Sequence, residues 1–329
     1  MCIYIYTMKF LILNTTNPHI NLAIEEYLFL NADDDIFMLW QNEPTVVIGK
    51  NQNAFLELNM QYIKDSQIHI ARRITGGGAV YHDLGNVNYT FISKKKGNDG
   101  IDFEHFTKPI LEALSTLGLS ASLSGRNDIL IDGKKISGNA QHSSSGKVLH
   151  HGTLLFDSDL SVLTNALKVD EEKFKAKAIK SVRSRVTNIK EQLGDINVSD
   201  FINLIASFLI KKYNPETISP PSYQQISTLV NKYTSFEWIF PEGNYLSQYT
   251  VLKKKRYPFG TVDISLEMKN DTVKKIKIYG DFFGVRDIGE LEAELENITL
   301  EVLEEKLSKI TIGDFIFGMT SRDFLTQIK

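Results

Sequence analysis

The sequence predicts an α+β fold in two parts, a large mixed-sheet domain over residues 1–240 and a small α+β domain over residues 241–329. Three observations carry this expectation. Short apolar or β-branched runs alternate with a few amphipathic helical patterns, prolines interrupt the chain at Asn214-Pro215 and Pro220-Pro221, and a hairpin pattern follows residue 260. At 329 residues the chain also exceeds the size at which one core usually keeps growing.

Lys9-Phe10-Leu11-Ile12-Leu13 reads as a first strand, so Met8 is the expected natural start and residues 1–7 an upstream extension. Asn17 offers an N-cap and Pro18 suits a first helical turn, after which Ile24, Tyr27 and Leu28 mark one apolar face. Strands are expected at Ile36–Trp40, Thr45–Ile48 and Ile68–Ala71. Another at Asn86–Ile92 places Val87, Tyr89 and Phe91 on one face, the pattern of a half-buried strand. Phe103–Leu117 is helical and stops at Gly118. Asn127–Ile131 then leads through Asp132-Gly133 into strands at Ile136–His142 and Val148–Phe156. Phe201, Leu204, Ile205, Phe208 and Leu209 give a further helix its packing side, and a short helix is expected at Tyr223–Tyr233. In the second domain Thr261–Glu267 alternates cleanly and pairs with Val273–Tyr279 across Lys269-Asn270-Asp271.

Composition narrows the function classes. Hydrophobic residues make up 42% of the chain, enough for a packed core, which excludes a disordered chain. The net charge is -3, and the short runs Lys94–Lys96 and Lys253–Arg256 read as solvated loops, so no nucleic-acid partner is expected. No apolar run is long enough to span a bilayer, and the opening MCIYIYT lacks a basic n-region and a small-residue cleavage site. A cytoplasmic protein with no membrane partner is expected. The single cysteine, Cys2, rules out intramolecular disulfides and Cys-rich metal sites.

The most unusual stretch is Arg72-Arg73-Ile74-Thr75-Gly76-Gly77-Gly78-Ala79-Val80-Tyr81-His82-Asp83. Glycines let backbone N–H groups approach a ligand and adopt positive φ, and the preceding arginines supply charge suited to a phosphate or carboxylate. The segment lacks the GKS/T ending of a P-loop and the GxGxxG of a dinucleotide fold. By itself it reads equally as a structural turn; the arginines and the His82-Asp83 pair favour the functional reading. Downstream, Asn127-Asp128 precedes a strand and Lys134-Lys135 places a lysine just before another. Regular alternation of the latter would put Lys135, Ser137 and Asn139 on one face, and a lysine beside an Asp-Gly turn is ordinarily solvated. His150-His151 opens a further strand. Adjacent strand residues point to opposite faces and no HExxH helix is present, so a zinc site is not expected, leaving a ligand-lining edge or a hydrogen-bonded core. Lys180–Asn188 is a basic loop able to close over a nucleotide.

RRITGGGAVYHDLGN, GRNDILIDGKKISGNA, HHGTLLF and KSVRSRVTN, in this order and spacing, resemble the lipoate–protein ligase A family. Weaker similarity, in NLAIEEYL and the small C-terminal domain, extends the resemblance to nearly all of the chain after residue 8. It implies a mixed-sheet catalytic domain of the biotin/lipoate ligase type with a small accessory domain. It implies ATP-dependent activation of lipoate and transfer of the lipoyl group to a lysine. Arg73 then matches the arginine before the glycine loop, Gly76 and Gly77 belong to that loop, and Gly78, Ala79, Val80 and Tyr81 match its nucleotide-contacting end. Lys135 matches the lysine that touches both the lipoyl carbonyl and the phosphate, Asp128 an acidic residue near the adenylate, and His82 and His151 further lining positions. Arg183 opens the stretch to Asn188 that matches a loop folding over the adenylate.

This assignment is chemically coherent. A carboxylate is a poor electrophile and ATP is highly anionic, so the reaction needs positive charge and oriented donors. Lys135 and Arg73, with the Gly77 and Gly78 amides, are expected to hold them, and Mg2+ to screen the departing pyrophosphate. The acceptors implied are lipoyl domains of 2-oxoacid dehydrogenase E2 subunits and glycine-cleavage H protein, with octanoate as a possible alternative acid. An octanoyl or lipoyl transferase would need a nucleophilic cysteine near the motifs, which Cys2 does not supply. A biotin–protein ligase is the other alternative.

Overall fold

A computed structural model describes residues 8–94, 101–125, 127–168, 185–241 and 249–328 of the chain. The chain divides into two compact units. The first takes in the chain up to Val47, Glu57–Ala71 and Val80–Ser235; the second takes in Ile48–Leu56, Arg72–Ala79 and the chain from Phe236 onward.

The first unit is built on β1 (Lys9–Ile12), β2 (Ile36–Trp40), β3 (Thr45–Ile48), β4 (His69–Arg72), β5 (Val80–His82), β6 (Asn86–Lys94), β7 (Ala121–Ser124), β8 (Asp128–Ile131), β9 (Lys134–Ser144), β10 (Lys147–Leu155) and β11 (Glu216–Thr217). Eight of these form one sheet in the order β11-β1-β2-β6-β10-β9-β8-β7, and β4-β3-β5 form a second. β1 runs parallel to both β11 and β2, and the remaining pairs of the large sheet are antiparallel, which makes it the mixed sheet the sequence predicts. Two hairpins turn on residue pairs with positive φ, Asp132-Gly133 (50° and 76°) and Ser145-Gly146 (51° and 73°), the backbone a two-residue turn needs to match strand twist.

One face of this sheet buries Phe37, Leu39, Val87, Tyr89, Phe91 and Leu154 against the helices Phe103–Thr116 and Val198–Tyr213. The expected packing side of the second helix holds at Phe201, Ile205 and Leu209, whereas Leu204 is exposed. The helix Pro18–Asn31 lies on the opposite face, against β6 and β10, with Tyr223–Thr234 packed on it. Its start is set as expected: Asn17 Oδ1 accepts from the backbone N–H of His19 and Ile20 at 3.0 and 3.1 Å. β6 departs from the expected half-buried strand. Asn86, Asn88 and Thr90 are as buried as Val87 and Tyr89, because the Pro18–Asn31 helix covers the polar face as well.

The second unit contains β12 (Val251–Tyr257), β13 (Gly260–Lys269), β14 (Thr272–Gly280) and β15 (Ile298–Thr299) in that order in an antiparallel sheet. The expected hairpin is present, turning on Asn270 and Asp271 at φ 49° and 56°. Val262, Ile264, Leu266, Val273, Ile276 and Ile278 form a core with residues of the helices Ile288–Leu295, Leu300–Lys309 and Ser321–Ile328.

Candidate active site

Next to the edge strand β7 of the large sheet, β8 and β9 pair Asp128 with Gly138 and Ile129 with Ser137, but Leu130 with Lys135. Ile136 is thus an extra residue on β9, and this bulge breaks the regular alternation that would group Lys135 with Ser137 and Asn139. Lys135 instead turns to the face of Gly138. Its Nζ lies 2.8 Å from Asp128 Oδ1 and would be 2.9 Å from a Cβ at position 138. A side chain there would push the ammonium from this position. The Lys135 backbone is fixed independently: its N–H donates to the Arg185 carbonyl, and its carbonyl accepts from the Thr187 N–H at 3.0 Å. Both side chains are about one-third exposed (32% and 37%), so the ion pair contributes no more than about 1 kcal/mol to folding. An ammonium has three N–H donors, and an anion arriving here can take those that Asp128 does not.

On the sheet face under the Pro18–Asn31 helix, the buried Glu25 carboxylate accepts from Thr90 Oγ1 at 2.6 Å and meets His151 Nδ1 at 3.0 and 3.1 Å. Trp40 Nε1 donates to the same Thr90 hydroxyl at 2.9 Å. A buried carboxylate persists only when its lone pairs are matched in this way. Nearby in sequence, His82 is buried with Nδ1 3.0 Å from the Asn42 amide, and Asn42 Oδ1 accepts from Asn21 at 2.9 Å. Tyr81 precedes it on β5; burial, with the Asp83 and Asp159 charges adding, pushes its phenol up to about 12, so it stays protonated at neutral pH.

His150 faces the other side of the sheet, as strand alternation requires, and takes the core alternative. It is fully buried, stacks on Phe106 at 5.3 Å, and has Nδ1 3.0 Å from Gln141 Nε2 and Nε2 3.2 Å from Asn139 Oδ1. Gln141 donates at Nδ1, so the proton sits on Nε2 and the ring is neutral. Burial, with His151 and His105 acting in the same direction, holds its pKa well below the ordinary 6.5. The unfolded chain therefore gains a proton near pH 6.5 that the folded chain refuses. Stability from this group is complete above pH 6.5 and falls below it, by up to about 1.4 kcal/mol per pH unit. Urea unfolding at pH 7.5 and 5.5 should show this loss, and His150→Gln, which cannot titrate, should show a smaller one. Identical pH dependence in the two chains would refute this assignment.

In the second unit the arginines and glycines hold one another. Arg72 is 1% exposed. It donates from Nη1 to the carbonyls of Gly49, Lys50 and Gln52 at 3.1, 2.9 and 2.6 Å, and from Nε and Nη2 to Ile239 at 3.1 and 2.8 Å. Arg73 is buried too, donating to Thr75 Oγ1 at 2.9 Å and to the Gly76 and Gly78 carbonyls at 2.7 and 2.8 Å. Gly77 has φ +90° and its N–H donates to the Phe282 carbonyl at 3.1 Å; a Cβ there would strike the Phe283 ring. Gly76 is closed to a side chain by the Phe282 backbone. The charges that the sequence suggests for an anion are thus engaged by loop carbonyls in this structure.

Residues 17–210 match the family model of the lipoyl protein ligase A/B catalytic domain, and residues 247–328 match that of the bacterial lipoate protein ligase C-terminus. The lipoate-protein ligase LplJ of Bacillus subtilis (strain 168) is 40% identical, with 96% of this chain and 98% of that protein covered. The chain belongs to the lipoate–protein ligase family. Such a ligase is an amide-forming enzyme. A crystal structure of P. falciparum LipL1 in complex with lipoate superposes with a TM-score of 0.77 at 25% identity, covering 98% of this chain and 97% of that one. A lipoate-protein ligase A bound with ATP gives 0.59 at 28% identity, covering 71% and 98%.

In this ligase the positions singled out in the sequence fall into separate groups. Lys135 and Asp128 are joined directly, His151 belongs to the Glu25 cluster, and Val80, Tyr81 and His82 form β5. Arg73 with Gly76–Gly78 and Ala79 belongs to the second unit. Arg183 and residues 1–7 lie outside the described residues. Sequence reasoning passed over Glu25, Trp40 and Thr90. One signal for Glu25 was available: with Asn21 and Leu28 it sits at i, i+4 and i+7 on one helix face, a carboxylate within an otherwise covered stripe. Among the described residues no group of three or more His, Cys, Asp or Glu side chains could hold a metal ion. No described helix is long and apolar enough to cross a membrane.

Proposed function

We propose that this ligase joins lipoate and ATP to form lipoyl-AMP and pyrophosphate, and then passes the lipoyl group to a lysine ε-amine. In the first step a lipoate carboxylate oxygen attacks the α-phosphorus and pyrophosphate leaves. In the second, the deprotonated amine attacks the lipoyl carbonyl, the amide forms and AMP leaves. The observation that carries this reading is the Lys135 ammonium, held 2.8 Å from Asp128 beside Gly138 near the start of β9, on a backbone tied to Arg185 and Thr187. That arrangement presents a fixed cation with donors to spare, suited to a carboxylate and a phosphate whose charges must be brought together.

Lys135 and Asp128 are the catalytic residues of this reading, and Arg73, expected beside them, is a positioning residue. Lys135 binds the lipoyl carbonyl and the α-phosphate, and Asp128 orients Lys135 and the incoming amine. Arg73 shapes the loop of Gly76, Gly77 and Gly78, which with Ala79, Val80 and Tyr81 serves the nucleotide; the Gly77 amide, expected as an anion donor, is engaged by the Phe282 carbonyl in this structure. His82 and His151 line the acid's site, and Arg183 belongs to a loop over the adenylate. Magnesium enters as the counterion of the nucleotide phosphates, its usual mode of binding. Residues 1–240 form the catalytic domain and 241–329 the accessory domain. The acceptors are E2 lipoyl domains and glycine-cleavage H protein, in the cytoplasm. LipL1 carrying lipoate and ligase A carrying ATP, as solved, support both substrates.

Intact-mass measurement of an apo lipoyl domain incubated with the ligase, lipoate, ATP and magnesium tests this. The domain should gain one lipoyl group, and only when ATP is present. Transfer from octanoyl carrier protein without ATP would point to a transferase instead.

A further inference from the structure

Three adjacent strands place Tyr89, Gly152 and Asn139 in one row, Gly152 being paired with Tyr89 on β6 and with Asn139 on β9. Because the middle residue has no side chain, the Tyr89 hydroxyl reaches across it and donates to Asn139 Oδ1; a Cβ at Gly152 would collide with both partners. His150 Nε2 meets the same oxygen at 3.2 Å. The other end of the Asn139 amide, Nδ2, donates to the Asn127 carbonyl at 3.0 Å and to Ser137 Oγ at 3.3 Å. The Asn139 backbone N–H donates to that same Asn127 carbonyl at 2.9 Å, and Asn127 Nδ2 returns a bond to the Asn139 carbonyl at 2.6 Å. Asn127 immediately precedes Asp128.

Every donor and acceptor of the Asn139 amide is matched. Tyr89 and His150 are fully buried and Asn139 is 3% exposed. Polar groups are costly to bury, and a matched network fixes one arrangement because any shift leaves a member without its partner. The network is anchored at its far side as well: Gln141, which donates to His150 Nδ1, also accepts from the Asp102 backbone N–H and donates to the Asp102 carbonyl. The arrangement thus runs from the start of the Phe103–Thr116 helix, through the core, to the residue beside Asp128.

We propose that Asn139 is a positioning residue of the ligase, holding Asn127 so that Asp128 keeps Lys135 in place for adenylate formation. The inference rests on the proposed roles of Lys135 and Asp128. Asn139→Ser removes the side-chain bond to the Asn127 carbonyl and the acceptor of Tyr89 and His150, and Asn139→Asp keeps that acceptor while removing the side-chain donor; both leave the two bonds that Asn127 makes with the residue 139 backbone. Lipoate-dependent pyrophosphate release is measured for each, alone and combined with Asp128→Asn, on protein whose circular dichroism matches the unaltered chain.

Each Asn139 variant should lower kcat about tenfold, the cost of one misplaced charge-assisted contact. KM for lipoate and ATP should stay within about twofold, since Lys135 is displaced rather than removed and its charge meets the anions most strongly as they join. With Asp128→Asn already present, the Asn139 substitution should change kcat by less than about twofold, because residues acting through one group are non-additive. An equal loss in both backgrounds, or no loss in either variant, overturns the proposal while leaving Asp128 in its role. Full activity of Asp128→Asn alone overturns the reading of Asp128, and this proposal with it. Asn139→Asp keeps the test open if the serine variant does not fold.

Discussion

Lys135→Met is expected to reduce lipoyl-AMP synthesis by about a hundredfold to 10⁴-fold. The ammonium is assigned two charge-assisted contacts, to the lipoyl carbonyl and the α-phosphate, each worth roughly 1.5–3 kcal/mol or about tenfold to a hundredfold in rate. Methionine has a similar unbranched length, and the backbone contacts to Arg185 and Thr187 need no ammonium. The ion pair with Asp128 is partly exposed and adds little to folding, so the variant should fold. Loss should fall on the chemical step, because the removed charge meets the anions most strongly as they approach one another. Lys135→Arg should recover little. A guanidinium fork presents its donors in a different geometry from an ammonium. Single-turnover adenylate formation measures both variants, and near-normal synthesis by Lys135→Met would reject the assignment.

Much of the fold was legible because it is local. The Asn17-Pro18 helix start, the Asp132-Gly133 and Asn270-Asp271 turns and the alternation of β13 depend on neighbours a few residues apart, and each appears as expected except at Ser265, which is buried like the apolar residues beside it. What was not legible depends on pairing between distant strands. The bulge at Ile136 exists only because β8 and β9 pair in two registers, and it decides which way Lys135 points. The polar side of β6 looked solvent-facing because alternation says only that two faces differ, not that the second lies open; the helix that covers it is some sixty residues away in the chain. Arg72 and Arg73 illustrate the same point for charge. Their sequence announces two cations beside glycines, but whether those cations meet a ligand or carbonyls of their own chain is settled by tertiary approach. The principal site residues were assigned from family motifs in the sequence, whereas the supports behind them, Glu25, Tyr89 and Asn139, were given no role at the site.

Arg72→Met should cost the second unit about 3–5 kcal/mol, the largest stability loss expected of the substitutions proposed for this protein. One guanidinium gathers the carbonyls of Gly49, Lys50, Gln52 and Ile239, drawn from two separated stretches of chain, and it is 1% exposed. A methionine would fill most of the volume and supply no donor, leaving those carbonyls to lose their bonds away from water, at about 1 kcal/mol or more each. Arg72→Lys should recover less than half of the loss, since an ammonium is a point charge that cannot span acceptors arranged around a planar fork. The measurement has a local reporter. The chain has two tryptophans, Trp40 in the first unit and Trp238 in the second, and Trp238 Nε1 donates to the Arg72 carbonyl at 2.8 Å. In a Trp40→Phe background, urea unfolding followed by Trp238 fluorescence reads the second unit alone. A midpoint shift equivalent to less than about 1 kcal/mol would mean that water replaces the guanidinium bonds and that Arg72 is not the residue holding Gly49–Gln52 to Ile239.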